Sequence, residues 1–193
     1  MTAPSVNSGD TVTRWRALAY THPIAVAVLA GIIATHIVTV TGYWYHGFGL
    51  PNLDFPRFNG YLLFRAELGN DPAVVTAVSS TVRLVLGWIV HTFTGVAWAL
   101  AYVIAIHPRL PWRNTTAGNL GKAMVWGGIL ATLSALWWVP VLFPEFGLGF
   151  FSWNFAGFKG IVAIYLWHAI YAANLSLIYN PLPADEFEAM RMT

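Results

Sequence analysis

Four stretches of this chain, residues 23–44, 84–106, 123–142 and 161–179, contain no Asp, Glu, Lys or Arg. Each is about as long as the ~20 apolar residues a helix needs to cross the ~30 Å hydrocarbon core of a bilayer. Only helices and closed barrels satisfy their backbone groups in lipid. These runs are continuous rather than alternating, so helices are expected. The 18 charged residues, 10 Lys+Arg and 8 Asp+Glu, are 9% of the 193-residue chain, against roughly 25% in a soluble domain. The sequence predicts one all-α transmembrane domain, an integral membrane four-helix bundle over residues 1–193, with the lipid bilayer as its solvent.

Basic residues orient such a bundle. With the N-terminus inside, Arg14, Arg16, Arg109, Arg113, Lys122 and Arg191 face the cytoplasm, against Arg57, Arg65, Arg83 and Lys159 outside. Both termini are then cytoplasmic, and the chain is a multi-pass protein of the cytoplasmic membrane. The first span is expected to be an uncleaved anchor: its apolar run is long for a signal peptide, and residues 41–45 read TGYWY with no small-residue cleavage site. The first 13 residues are polar and expected to be mobile.

The first extracytoplasmic loop is the longest. Phe58, Tyr61, Leu62, Arg65 and Leu68 recur there at helical spacing, which suggests a short interfacial helix; a loop packed on top of the bundle fits equally. Asp71-Pro72 is a helix start. A second helix from Pro72 to Ile106 would measure about 52 Å and should project outward or bend near Ser79-Ser80. Tyr43, Trp44, Tyr45, Trp137, Trp138, Phe143, Phe146, Phe150, Phe151 and Trp153 form an expected outer aromatic belt.

Apolar burial does not drive association in lipid; close approach at small residues does. Such stripes are Ala30 and Ala34; Gly87, Gly95 and Ala99; Gly127, Ala131 and Ala135; and Ala172 and Ser176. Three histidines, His36, His91 and His168, lie near the middle of spans, and intramembrane ionisable groups are candidate functional sites. His91 shares the Gly87 stripe and His168 that of Ala172, so both should face neighbouring helices. Imidazole ligates metals and haem, so His91, His168 and His36 are candidate ligands for haem b or copper. The alternative is three neutral imidazoles bonded across the bundle, to partners among Thr35, Thr39, Thr92, Thr94, Ser134, Tyr165, Tyr171 and Asn174. The lack of any carboxylate in the spans to orient a ligating histidine favours this alternative. His22, His46 and His107 lie at span ends and are expected to be interfacial.

The pattern Gly87-Trp88, His91, Gly95, Ala101-Tyr102, Trp126-Gly127, Pro140, a Gly- and Phe-rich outer loop, and Trp167-His168 with Tyr171 resembles a family of small prokaryotic four-span membrane proteins, a domain of unknown function. The resemblance covers about the last 110 residues of the sequence. It implies architecture and directs interest to His91 and His168; the long first loop departs from the compact family pattern.

Several function classes are excluded. The chain has no Cys, so thiolate metal sites and cysteine nucleophiles are ruled out. A dispersed net charge of +2 offers no nucleic-acid surface. Motifs for serine hydrolases, P-loops, Rossmann folds and HExxH zinc sites are absent, so catalysis by this chain alone is not expected. Three readings stand. The first is a non-catalytic accessory subunit of a larger membrane complex, such as an oxidoreductase or monooxygenase. The second is a histidine-ligated electron-transfer protein. The third is a small-molecule or lipid carrier, which the missing carboxylates and inverted repeat rank last.

Overall fold

A computed structural model of the protein describes residues 10–64, 81–144 and 147–192. Every described element is helical. Helix α1 (Thr11–Thr21) starts on Asp10, whose carboxylate accepts from the Thr13 N–H at 2.8 Å. That bond holds the Asp10 carboxyl below its ordinary pKa. Helix α2 (Pro23–Tyr43) follows at once. Helix α3 (Phe55–Leu63) is capped by Asp54, which accepts from the Arg57 N–H, and has Pro56 in its first turn. Then come α4 (Thr81–Ala101), α5 (Thr116–Leu133), α6 (Phe158–Ile178) and α7 (Ala184–Met192).

Two of these helices continue beyond regular α geometry. Helix α4 runs through a π-turn, Tyr102–Ile106, and a 3-10 turn, His107–Arg109. Helix α5 runs through a π-turn, Ser134–Trp138, into Val139–Leu142. Each π-turn begins six residues before a proline, Pro108 or Pro140. Proline cannot donate the next α-type bond and its ring crowds the preceding turn. The helix widens there instead, with His107 N–H bonding Tyr102 O and Val139 N–H bonding Ser134 O.

Among the described residues four helices are long and apolar enough to cross a membrane: Pro23–Tyr43, Thr81–Arg109, Thr116–Leu142 and Phe158–Ile178. All four present exposed apolar side chains, including Ile37 and Val40, Ile89 and Phe93, Ile129 and Leu136, and Leu166 and Leu177. Such a surface needs lipid or a partner around it. The expected helix start at Asp71-Pro72, the bend at Ser79-Ser80, Arg65, Leu68, Phe146 and the first nine residues lie outside the described residues.

Helix α2 packs on both α4 and α6, α6 on α5, and α3 on α4. The buried residues of α4 are Gly87, His91, Gly95 and Ala99, the stripe expected from the sequence. Gly95 is required where α2 crosses: a Cβ there would clash with the Thr35 hydroxyl oxygen. At Gly127 a Cβ would lie 2.8 Å from the Ala172 Cβ and 2.9 Å from the His168 carbonyl oxygen, which brings α5 onto α6. Among the described residues α4 approaches the backbone of α5 mainly through its continuation, Tyr102–Arg109. Higher up, a gap remains between them.

Some of the expected aromatic belt turns inward. Tyr45 and Phe143 are buried, while Tyr43, Trp44, Trp137, Phe150 and Trp153 are exposed. Tyr45 lies beyond the end of α2, and burial pushes its phenol pKa up to about 12. Phe143 fills a small core with Tyr61, Phe58 and Trp138, which ties the first loop to the end of α5.

Candidate functional site

The gap between α4 and α5 is a cavity of about 220 Å³. Its walls are Thr94, Gly95 and Trp98 of α4 and Leu130, Leu133, Ser134, Trp137 and Trp138 of α5 and its π-turn. Thr35 and Val38 of α2 with Trp167, His168 and Tyr171 of α6 form its floor, and Phe55, Asn59 and His91 one end. Trp98 reaches across to Trp126 (ring centroids 6.0 Å apart) and bridges the two helices. Leu133 and Trp137, which frame the cavity, are also exposed on the outer apolar face. The cavity therefore opens sideways, toward the surface that faces lipid. No Asp, Glu, Lys or Arg of the described residues lines it.

Two of the three candidate histidines meet here. His91 is buried among the rings of Phe55, Trp88 and Trp167. Its Nε2 lies 3.0 Å from the Thr39 hydroxyl, and that hydroxyl already donates to the Thr35 carbonyl at 2.7 Å. Thr39 can therefore only accept from His91, so Nε2 carries the proton. Nδ1 is then the lone-pair nitrogen and accepts from Asn59 Nδ2 at 3.3 Å. Both ring nitrogens are engaged in a neutral imidazole clamped between α2 and α3. To ligate haem or copper, His91 would have to release Thr39 or Asn59.

His168 is different. Its Nδ1 lies 2.8 Å from the Ile164 carbonyl of its own helix, so Nδ1 donates and, in the neutral ring, Nε2 holds the lone pair. Among the described residues Nε2 has no hydrogen-bond partner, and His168 lines the cavity. The Ser134 hydroxyl, on the facing helix, is likewise without a partner among the described residues and lines the same space. Ser134 opens the α5 π-turn, a distortion common at functional sites. The other side-chain hydroxyls in the walls are satisfied. Thr35 donates to Gly31 O, Thr94 to Val90 O, and Tyr171 to Gly95 O across the helix interface at 2.6 Å.

His36 does not join them. Its Nδ1 donates to the Ile32 carbonyl at 2.7 Å, and its exposed ring stacks on Trp88 at 5.4 Å outside the cavity. Among the described residues no group of three or more His, Asp or Glu comes together. Of the flanking histidines, His107 is buried rather than exposed; its Nε2 donates to Asn119 Oδ1 at 3.0 Å.

Of the expected partners, Thr39 reaches His91. Sequence reasoning missed Asn59, which α3 carries 32 positions before His91. The signal was present: Asn59 shares a helical face with Phe55 and Leu62, a lone amide on an apolar stripe.

The cavity is suited to an uncharged apolar molecule. A bound charge would find no counter-ion among the described residues there. His168 Nε2 can accept one hydrogen bond, and the Ser134 hydroxyl can give or take another. No family model, no curated protein and no solved structure matches this chain.

Proposed function

We propose that the protein is a membrane-embedded binding protein, acting as a carrier, for a small uncharged ring compound bearing a hydroxyl, of the phenol or quinol class. The compound enters from lipid between α4 and α5. The observation that carries this reading is the pairing of a His168 Nε2 and a Ser134 hydroxyl, both unpartnered among the described residues, in a largely apolar cavity. Size supports it. A cavity of about 150 Å³ lined by aliphatic and aromatic side chains takes up benzene, and sites for drug-sized ligands start near ~300 Å³. The present 220 Å³ lies between, matching a single substituted ring. The indoles of Trp98, Trp138 and Trp167 provide flat apolar contact. In this reading the basic end faces the cytoplasm, and α3 packs into the outer half of the bundle rather than lying in the headgroup plane.

Binding is testable by quenching of the cavity tryptophans in nanodiscs, with 4-bromophenol and 4-bromotoluene as probes. The hydroxyl compound should bind about fivefold more tightly, the worth of one neutral hydrogen bond, and His168→Phe should remove that preference. Equal binding in the wild type, or a preference that survives in folded His168→Phe, would refute the assignment.

A second reading, an accessory subunit of a membrane oxidoreductase or monooxygenase complex, is favoured by the aromatic cluster at the end opposite Arg109, Arg113 and Lys122. Trp44, Phe48, Phe150, Trp153 and Phe158 are all exposed there, Phe48 at 80%. This predicts that mild-detergent extraction from native membranes yields a particle far heavier than the 21.3 kDa chain. Recovery as a lone monomer would count against it.

A further inference from the structure

At the basic end, away from the cavity, a separate groove runs between the start of α2, the end of α4 and the start of α5. Its apolar wall is Ile24, Val103 and Ile104, of which Ile24 and Ile104 are exposed at 50% and 59%. Its polar end is Lys122, His107 and Asn114. Lys122 sits in the second turn of α5 and is 3% exposed. Its ammonium donates to Asn114 Oδ1 at 2.7 Å, and its two remaining protons have no partner among the described residues. Arg16, which shares Asn114 through the backbone carbonyl, bonds among the described residues to the carbonyls of Asn114, Asn180 and Pro181. The nearby carboxylates are committed: Asp185, on the rim, and Glu186 both pair with Arg113 at 2.7 and 3.1 Å. Two cations thus share one asparagine, with no carboxylate of the described residues on either.

A buried ammonium with two unmet donors calls for an anion. The groove leads from that ammonium to an apolar surface at the boundary of the spanning segments, so the anion should carry hydrocarbon. We infer that this groove holds the phosphate headgroup of an anionic phospholipid on Lys122, with its acyl chains lying along Ile24, Val103 and Ile104. Basic pockets between helices at this depth are suited to such headgroups. Arg16 adds to the field, and the Arg113–Asp185 pair closes the rim.

Phosphate could also come from solution, and the test separates the two sources. The full-length protein in an uncharged detergent is titrated with phosphatidylglycerol, phosphatidylcholine or inorganic phosphate, and retained lipid is counted by native mass spectrometry. Phosphatidylglycerol should bind at least about fivefold more tightly than phosphatidylcholine. The preference should weaken as salt rises, disappear in Lys122→Gln and persist in Lys122→Arg. Should Lys122→Gln fail to fold, Ile104→Trp tests the same site by blocking the acyl path while leaving Lys122 in place; it should lose retained lipid. Equal retention of the two lipids by the wild type overturns the inference, as does an unchanged preference in Lys122→Gln or Ile104→Trp. Lys122-dependent binding of inorganic phosphate without a lipid preference overturns the lipid assignment.

Discussion

Substitution of Thr39 by Val tests the hydrogen-bond logic at His91. The two side chains are nearly isosteric, so packing between α2 and α4 is kept while the acceptor for His91 Nε2–H is lost. Two estimates compete. Side-chain hydrogen bonds inside membrane proteins average only about 0.6 kcal/mol, because polar groups find other partners when one is removed. A buried donor left with no partner costs about 1–3 kcal/mol. The second applies here. The rings of Phe55, Trp88 and Trp167 lie 6.0 to 6.4 Å from the imidazole centroid, and the other ring nitrogen is held by Asn59. Thr39→Val should therefore destabilise the fold by about 1–2 kcal/mol, measured by steric trapping in bicelles. In a His91→Leu background the same change should cost only about 0.5 kcal/mol or less, leaving a coupling of about 1 kcal/mol in the double-mutant cycle. A Thr39→Val variant as stable as the wild type, or a strictly additive cycle, would refute the clamp.

Other outcomes follow from the same geometry. Gly127→Ala should destabilise by about 1–3 kcal/mol by forcing α5 away from α6, again read by steric trapping; no change would mean the helices are less closely packed than 2.8 Å implies. Ser134→Leu should fill the cavity and reduce 4-bromophenol quenching at least about tenfold, while far-ultraviolet circular dichroism stays unchanged. The Asp10 carboxyl is lowered by its bond to the Thr13 N–H. Its support of α1 is therefore complete above the ordinary Asp pKa and is lost as pH falls through the lowered value. Amide exchange in α1 should rise in acid for the wild type, and Asp10→Ala should already show the raised exchange at neutral pH.

The spans were readable because lipid imposes a coarse rule: charge stays out. Helix ends were less so, since capping rather than hydropathy sets them. Thr115 accepts from the Gly118 N–H, so α5 begins at Thr116 and takes in Asn119 and Lys122, upstream of the apolar run. The small-residue stripe of α4 survived intact, because Gly95 admits Thr35 only without a Cβ. Depth along a helix says nothing of rotation about it, and His36 shows this. It shares its stripe with exposed Ile32 and Val40 rather than with buried Ala30 and Ala34. His91 found Thr39, but its second partner came from a loop helix distant in sequence. The cavity was invisible beforehand because it arises where α4 and α5 fail to pack, a property of the whole arrangement and of no single motif.

A carrier of this kind requires that lipid-dissolved phenols reach the space between α4 and α5. The most direct measurement is photolabelling of the protein in membranes with a diazirine-bearing phenol, followed by peptide mapping. Labels should concentrate on Thr94, Trp98, Leu133 and Trp137 and be suppressed by excess unmodified phenol. Labels scattered over outward residues such as Phe93 and Leu177, and indifferent to competition, would contradict it.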